Sequence, residues 1–230
     1  MYQTPPMKLD HKVVLITGGN GALGHAVVEA FVQTGARVFS IDRRPSGQVG
    51  DQPVLVADVT DEQDVRRLAN EILQETGHID VLVNLVGGFE SGRVIETDIL
   101  MWQRMLTLNL TSAFLLSKAM LPSMLERRSG RIIHIAARAA EEPFAGAAAY
   151  VVAKSGLVAL IRALALELKG SGVTINGILP RIIDTPANRK NMPESDPNEW
   201  ASPQSIAQAL MFLASDESNQ ISGALVPVSA

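Results

Sequence analysis

Short apolar, mostly β-branched runs alternate along the chain with longer segments of helical periodicity. The first run, Val13–Thr17 (VVLIT), consists mostly of β-branched residues, which indicates a strand buried on both faces. Seven strands are predicted, at 13–17, 37–41, 54–57, 81–84, 131–136, 173–178 and 224–228. Helices are predicted at 26–33, about 60–75, about 98–127, 150–169 and about 203–214. Strands that alternate with helices and have no linker between them predict one α/β domain.

Residues typical of helix N-termini mark the start of two predicted helices. Thr60 and Gln63 have the spacing of a capping box that opens the second helix. Ser202 followed by Pro203 is typical of an N-cap and first helical position. Residues 1–11 lack the alternation of strand-like and helix-like segments and are expected to form a short tail. The predicted domain therefore covers 12–230.

Composition narrows the class of protein. The chain has 230 residues, 47% hydrophobic and 19% charged, which is enough to bury a core. A net charge of −4 gives no basic surface for nucleic acid, and without cysteine there is no thiolate chemistry. The N-terminus has no apolar signal core, and charges interrupt the apolar stretch 147–168. We therefore expect a cytoplasmic protein with no nucleic-acid or membrane partner. The four histidines share no spacing, and no metal site is predicted.

A glycine-rich stretch, residues 18–24 (GGNGALG), directly follows the first strand and leads into a helix. Glycines let the backbone approach a pyrophosphate closely, and the helix N-terminus offers N–H groups to it. The stretch therefore indicates a dinucleotide site. A tight strand–helix turn without a ligand is the alternative.

Asp42 ends the second strand, 18 residues beyond Gly24. An acidic residue near this position binds the adenosine ribose hydroxyls, and its charge would repel the 2′-phosphate of NADP. NAD(H) is therefore favoured. NADP(H) is not excluded, because the guanidinium of Arg43 or Arg44 could accommodate that phosphate. Asp42 could also be an ordinary strand-end turn former.

Tyr150 and Lys154 lie four residues apart in a predicted helix, so their side chains share one face. A nearby ammonium favours the phenolate, so Lys154 is expected to lower the pKa of Tyr150. Such a pair can exchange a proton with a substrate oxygen or nitrogen. Because this spacing also arises by chance in helices, the other motifs are needed to support a chemical role.

With the glycine turn, Asp42, Asn84, Asn109 and the Tyr150–Lys154 pair in this order, the chain resembles the short-chain dehydrogenase/reductase family over nearly its whole length. The resemblance implies a Rossmann-type, doubly wound parallel sheet of about seven strands and a substrate lid at about 181–200. It implies catalytic roles for Tyr150, Lys154 and Asn109, the last supporting a water relay. Asn109 could instead simply bridge backbone groups. The implied cofactor-binding residues are Gly18, Asn20, Ala22, Leu23, Gly24, Asp42, Asp58, Val59, Asn84, Tyr150, Lys154, Pro180, Ile183 and Thr185.

The chain departs from the family pattern at four places. Ala22 replaces the middle glycine of the turn, and Leu85-Val86 replaces an Asn-Ala pair after the fourth strand. Arg181 replaces a glycine. Ala137 stands where the family has a serine that holds the substrate oxygen, and alanine cannot hydrogen-bond through its side chain.

These departures resemble one branch of the family, the dihydropteridine reductases, which lack that serine and use NADH to reduce a quinonoid dihydropterin. The likeness lies in residues 18–24, 86–89 (VGGF), 137–140 (ARAA) and 184–194 (DTPANRKNMPE). A quinonoid ring already attracts hydride, so Tyr150 alone could supply the proton.

The sequence therefore predicts an NAD(P)H-dependent oxidoreductase acting on a small carbonyl or quinonoid, pterin-like substrate. Candidate substrate contacts are Ala137, Arg138, Arg181 and Trp200, although both arginines could face solvent and Trp200 could be a packing residue. Two alternatives remain: an ordinary ketone or alcohol dehydrogenase, and a catalytically weak NAD(H)-binding sensor or partner-binding protein. The helix after Tyr150 is apolar nearly all round, and family members pair this helix across subunits, so a homodimer or homotetramer is expected.

Overall fold

The computed structural model describes residues 9–45, 48–49 and 52–229, so most of the predicted tail lies outside the described residues. The strands are β1 (Val13–Thr17), β2 (Arg37–Asp42), β3 (Gln48–Val49), β4 (Gln52–Val56), β5 (Val81–Asn84), β6 (Gly130–Ile135), β7 (Val173–Pro180) and β8 (Leu225–Val228). The helices are α1 (Ala22–Gln33), α2 (Glu62–Thr76), α3 (Ile99–Leu106), α4 (Ser112–Arg127), α5 (Ala148–Glu167), α6 (Pro186–Asn191) and α7 (Pro203–Ala214).

The strands form one sheet in the order β3-β4-β2-β1-β5-β6-β7-β8. Seven of them run parallel, and the two-residue strand β3 pairs antiparallel with β4 at the edge. The predicted doubly wound parallel sheet of about seven strands is confirmed. The strand order reverses between β1 and β5, and ligands of such sheets bind at the carboxyl ends of the strands beside this point.

Helices cover both faces of the sheet, which explains why Val13, Val14, Leu15 and Ile16 of β1 are all apolar. Val13 and Leu15 pack with α2, α4 and α5 on one face, whereas Val14 and Ile16 pack with α1 and α7 on the other. All five residues of β1 are buried. A strand of the central sheet must be apolar on both sides, and the continuous run in the sequence reflects this.

One predicted cap is wrong and another is confirmed. Asp61, not Thr60, caps α2, because its carboxylate accepts hydrogen bonds from the backbone N–H groups of Gln63 and Asp64. The Thr60 hydroxyl is held by the Asp58 carboxylate at 2.6 Å and cannot cap the helix. Ser202 caps α7 as predicted.

The long apolar helix α5 packs against the sheet. By length and composition alone its 20 residues could cross a membrane, with a mean hydropathy of 1.7. One face, including Ala153, Leu157 and Ile161, is buried against the core. Val152 and Leu166 on other faces are exposed. Packing on the sheet accounts for the buried third of this helix.

Candidate active site

A cavity of about 590 Å³ lies at the carboxyl ends of β1, β2, β4 and β5, beside the point where the strand order reverses. It is bordered by the glycine turn, by the residues that follow β2 and β4, and by the loop that follows β5. Its lining includes the predicted cofactor residues Gly18, Asn20, Asp42, Asp58 and Val59.

The backbone conformation of the glycine turn depends on residues that lack a side chain. Gly18 has a φ of 76°, in the left-handed region that favours glycine. A methyl group at Gly24 would lie 2.2 Å from the carbonyl oxygen of Gly18, a forbidden contact. Ala22, by contrast, is the first residue of α1, where a methyl group is accommodated. The first N–H groups of α1 have no hydrogen-bond partner within the helix. The glycine turn and these N–H groups together fit a dinucleotide pyrophosphate.

Asp42 lies at the end of β2 and faces the cavity. Its carboxylate accepts hydrogen bonds from the backbone N–H groups of Asn20 and Arg44, both at 3.2 Å. Arg43 and Arg44 are exposed along the same wall. All three residues line the cavity, and their contacts with a cofactor ribose stay a prediction.

Two further predicted cofactor residues shape the loops around the cavity. The Asp58 carboxylate accepts from the Thr60 N–H at 2.9 Å and so holds the turn that carries Val59. Asn84 is buried at the end of β5, and its side-chain oxygen accepts from the Val86 N–H at 3.1 Å. Asn84 therefore shapes the wall of the cavity rather than lining it.

Tyr150 and Lys154 share one face of α5, as predicted. The Lys154 ammonium is buried and donates to the carbonyl oxygen of Ile135 at 2.8 Å. It lies 6.0 Å from the centre of the Tyr150 ring. Burial lowers the pKa of Lys154 to about 8 and raises the pKa of Tyr150 to about 12. The direction for Tyr150 is opposite to the one predicted, because loss of solvation on burial disfavours the phenolate.

Asn109 sits in a π-helical turn, Thr107–Thr111, between α3 and α4. Its amide nitrogen donates to the carbonyl oxygens of Gly88 and Met105, and its oxygen accepts from the Gly88 N–H. The side chain therefore holds the loop after β5. A methyl group at Gly87 would lie 2.8 Å from the Asn109 oxygen and 3.2 Å from the Lys154 nitrogen, so these groups meet around Gly87.

The candidate substrate contacts differ in their surroundings. Ala137 is buried two residues beyond the end of β6. Arg138 and Arg181 pair with Glu142 at 2.7 Å and 3.4 Å, so both charges are already compensated. Trp200 is only 4% exposed, which favours the packing interpretation.

The segment after β7 contains a helix that the sequence analysis missed. Pro180 ends β7, and Ile183 forms an isolated bridge with Ala201. Thr185 caps the unpredicted helix α6 by accepting from the Asn188 N–H at 3.2 Å. This segment follows the carboxyl end of β7, and its contacts with a cofactor stay a prediction.

Two aromatic residues near Tyr150 were also missed. The Phe89 ring meets the Tyr150 ring edge to face, with centres 5.0 Å apart. Phe144 lies 6.4 Å from Phe89. Both phenylalanines are about half exposed, so they form a solvent-facing side of the region around Tyr150. An exposed aromatic residue beside the glycine pair 87–88 was the signal available in the sequence.

A family model described as short chain dehydrogenase matches residues 12–196. The chain belongs to the short-chain dehydrogenase family. The match covers the glycine turn, Asp42, Asn109 and the Tyr150–Lys154 pair, which the fold brings to one edge of the sheet.

Relatives within this family match the chain almost from end to end. Meso-2,3-butanediol dehydrogenase of Serratia marcescens is 33% identical, over 96% of this chain and 94% of its own length. The 3-oxoacyl-(acyl-carrier-protein) reductase FabG of Thermotoga maritima is 28% identical over 96% of this chain and 98% of its own. The solved structure of Thermoplasma acidophilum aldohexose dehydrogenase superimposes with a TM-score of 0.88 at 30% identity, covering 96% and 93% of the two chains.

The family membership and the site together make this short-chain dehydrogenase an NAD(P)-dependent oxidoreductase with a small-molecule substrate. The relatives act on chemically different substrates, as their names state, although they share this fold. The substrate of this chain must therefore be argued from its own residues.

Proposed function

We propose that the protein is an NAD(H)-preferring reductase of a small, planar, conjugated carbonyl or quinonoid substrate, with Tyr150 as the proton donor. The observation that carries this proposal is the set of aromatic and non-polar residues around Tyr150. The Tyr150 ring meets the Phe89 ring, which together with Phe144 forms an aromatic wall, and the buried, non-polar Ala137 stands where the family has its serine.

The protonated state of the Tyr150 phenol favours reduction of the substrate over its oxidation. A phenol whose pKa is about 12 holds its proton at neutral pH and can give it to a substrate atom that gains electrons. The bound nicotinamide would supply the hydride. Lys154 is fixed by the Ile135 carbonyl, so its ammonium has a defined position next to Tyr150 and the cavity.

The missing polar group at Ala137 restricts the substrate. An unactivated ketone needs hydrogen bonds that stabilise negative charge developing on its oxygen. With alanine there, Tyr150 is left to provide that stabilisation. A conjugated or quinonoid acceptor spreads the developing charge over its own ring and requires less help. This is the chemistry that the resemblance to dihydropteridine reductases also implies.

The aromatic wall supports the same class of substrate. Offset or edge-to-face contacts with aromatic rings stabilise a flat ring by about 0.5–1.5 kcal/mol beyond simple burial. Phe89 and Phe144 are half exposed beside Tyr150 and offer such contacts. The charges of Arg138 and Arg181 are paired with Glu142, so an anionic substrate would have to displace that carboxylate.

Asp42 supports the preference for NAD(H). Its carboxylate is held in place by two backbone N–H groups and faces the predicted ribose position. A 2′-phosphate there would meet a fixed negative charge. Arg43 and Arg44 would reduce this repulsion, so the preference is expected to be quantitative, not absolute.

An ordinary ketone or alcohol dehydrogenase is the second candidate. The names of the relatives favour it, since butanediol dehydrogenase and aldohexose dehydrogenase are both similar to this chain over nearly its full length. In that case a water molecule or a residue of the segment 181–200 would replace the missing serine.

We also propose that the protein is a cytoplasmic homodimer or homotetramer. Apolar side chains are exposed along α4 and α5, including Phe114, Val152 and Leu166. A second copy of the chain would cover them. Sedimentation of the purified protein at several concentrations tests this, and a monomer at all of them would contradict it.

A spectrophotometric assay tests the proposed function. Oxidation of NADH and of NADPH is followed with quinonoid dihydropterin, a simple quinone and an aliphatic ketone. The proposal predicts faster oxidation of NADH than of NADPH and a preference for the two conjugated substrates. Activity confined to the ketone would establish the second candidate. Tight NADH binding without turnover of any substrate would favour a sensor.

A further inference from the structure

A chain of buried polar side chains crosses the sheet beneath the cofactor cavity. The Thr17 hydroxyl donates to the Asn84 side-chain oxygen at 2.7 Å. The Asn84 amide nitrogen lies 3.2 Å from Nδ1 of His134, and Nε2 of His134 lies 3.0 Å from the Ser117 hydroxyl. All four side chains are at most 2% exposed. This relay of Thr17, Asn84, His134 and Ser117 links β1, β5, β6 and α4.

The donors and acceptors of the relay can be assigned. The Val86 N–H can only donate, and it points at the same Asn84 oxygen as the Thr17 hydroxyl. That atom must therefore be the amide oxygen, which leaves the NH₂ group facing Nδ1 of His134. Nδ1 must then accept, so the ring proton sits on Nε2 and is donated to the Ser117 oxygen.

The surroundings keep this imidazole neutral. Burial and the nearby Lys154 ammonium lower the pKa of His134 to about 3. A second ring proton would also bring two donors face to face between Nδ1 and the Asn84 amide. Among the described residues in contact with the ring, Asn84 and Ser117 carry no charge, so Lys154 is the charged group that acts on it.

We propose that His134 is a positioning residue for the cofactor: its unprotonated Nδ1 fixes the orientation of the Asn84 amide and thereby the loop 86–88. If the Asn84 amide turned over, its NH₂ group would oppose the Val86 N–H and the loop would lose its anchor. Val86 and Gly87 line the cavity, and Gly87 lies against Lys154 and Asn109. The inference rests on the proposed function, because it assumes that the cavity binds NADH.

Two substitutions separate positioning from simple support. His134→Asn places an amide oxygen near the position of Nδ1 and gives up the contact with Ser117. His134→Gln reaches Ser117 and gives up the acceptor for Asn84. Each variant breaks one buried hydrogen bond, so both are expected to lower the thermal unfolding midpoint by similar amounts. Only His134→Gln should weaken NADH binding, by about fivefold to tenfold, whereas His134→Asn should change it by less than about twofold.

NADH binding is measured by fluorescence titration without any substrate, so the result does not depend on catalysis. Equal weakening in both variants would show that His134 only supports the fold and would overturn the proposal. If the wild-type protein bound no NADH, the proposed function itself would fail and this role with it.

The tautomer is tested separately by ¹⁵N NMR of protein labelled at its four histidines, with His134 assigned by the signals lost in His134→Asn. We expect Nδ1 unprotonated and Nε2 protonated between pH 5 and 8. The reverse tautomer, or a doubly protonated ring, would contradict the relay whatever the enzyme reduces.

Discussion

The cofactor side and the substrate side of this site are built in different ways. On the cofactor side, backbone geometry sets the shape: Gly18 has a positive φ, Gly24 packs against the backbone of Gly18 too closely for a side chain, and Asp42 is held by two N–H groups. On the substrate side, exposed side chains set the shape, namely Phe89 and Phe144. The first side is therefore expected to tolerate few substitutions, and the second to be where specificity changes.

The largest expected effect is at the reacting group. Tyr150→Phe removes the proposed proton donor, and general acid catalysis contributes about 10²–10⁴-fold. Turnover should fall by that factor, whereas the dissociation constant of NADH should change by less than about threefold, because the ring is kept. Stopped-flow turnover and fluorescence titration measure the two effects. Undiminished turnover would remove Tyr150 from the mechanism.

The glycine turn should respond with a loss of cofactor binding. Gly24→Ala places a methyl group 2.2 Å from the carbonyl oxygen of Gly18. Overpacking of this kind costs about 1–3 kcal/mol, so Gly24→Ala should weaken NADH binding by about tenfold or more in a fluorescence titration. An unchanged dissociation constant of NADH would contradict this role of the turn.

Asp42→Ala should change the choice of cofactor and not the choice of substrate. Removing the carboxylate leaves Arg43 and Arg44 to face a 2′-phosphate, so the ratio of kcat/KM for NADPH over NADH should rise about tenfold. The ranking of substrates should stay the same. A ratio that does not move would show that Asp42 acts only as a turn residue.

The smallest effect is expected from Arg181→Ala on the substrate side. The Arg181 side chain is 73% exposed, and its pair with Glu142 at 3.4 Å is solvated. Exposed ion pairs stabilise proteins by about 0–1 kcal/mol, so the urea midpoint should hardly change. A tenfold or greater rise in KM would instead assign Arg181 to substrate binding.

The sequence predicted the strand and helix elements of the cofactor side well, because their signals are local. A strand, a glycine turn and a helix follow one another within residues 13–33, and Asp42 comes at the next strand end. The Ser202 cap is also a local signal and is confirmed.

The substrate side depends on contacts between distant segments and was predicted less well. Phe89 reaches Tyr150 across 61 positions of sequence, and His134 joins Asn84 to Ser117 inside the core. No periodicity or spacing signals such contacts. The pKa of Tyr150 was expected to fall and is raised instead, because the degree of burial depends on how the loops fold over the ring.

One paired measurement tests the central claim, that an aromatic wall beside Tyr150 selects a planar conjugated substrate. The values of kcat/KM with NADH are determined for quinonoid dihydropterin and for an aliphatic ketone, in the wild-type protein and in Phe89→Leu. Aromatic contacts are worth about 0.5–1.5 kcal/mol, so Phe89→Leu should lose about twofold to tenfold on the pterin and little on the ketone. Equal losses on both substrates, or a wild-type protein that prefers the ketone, would contradict the account.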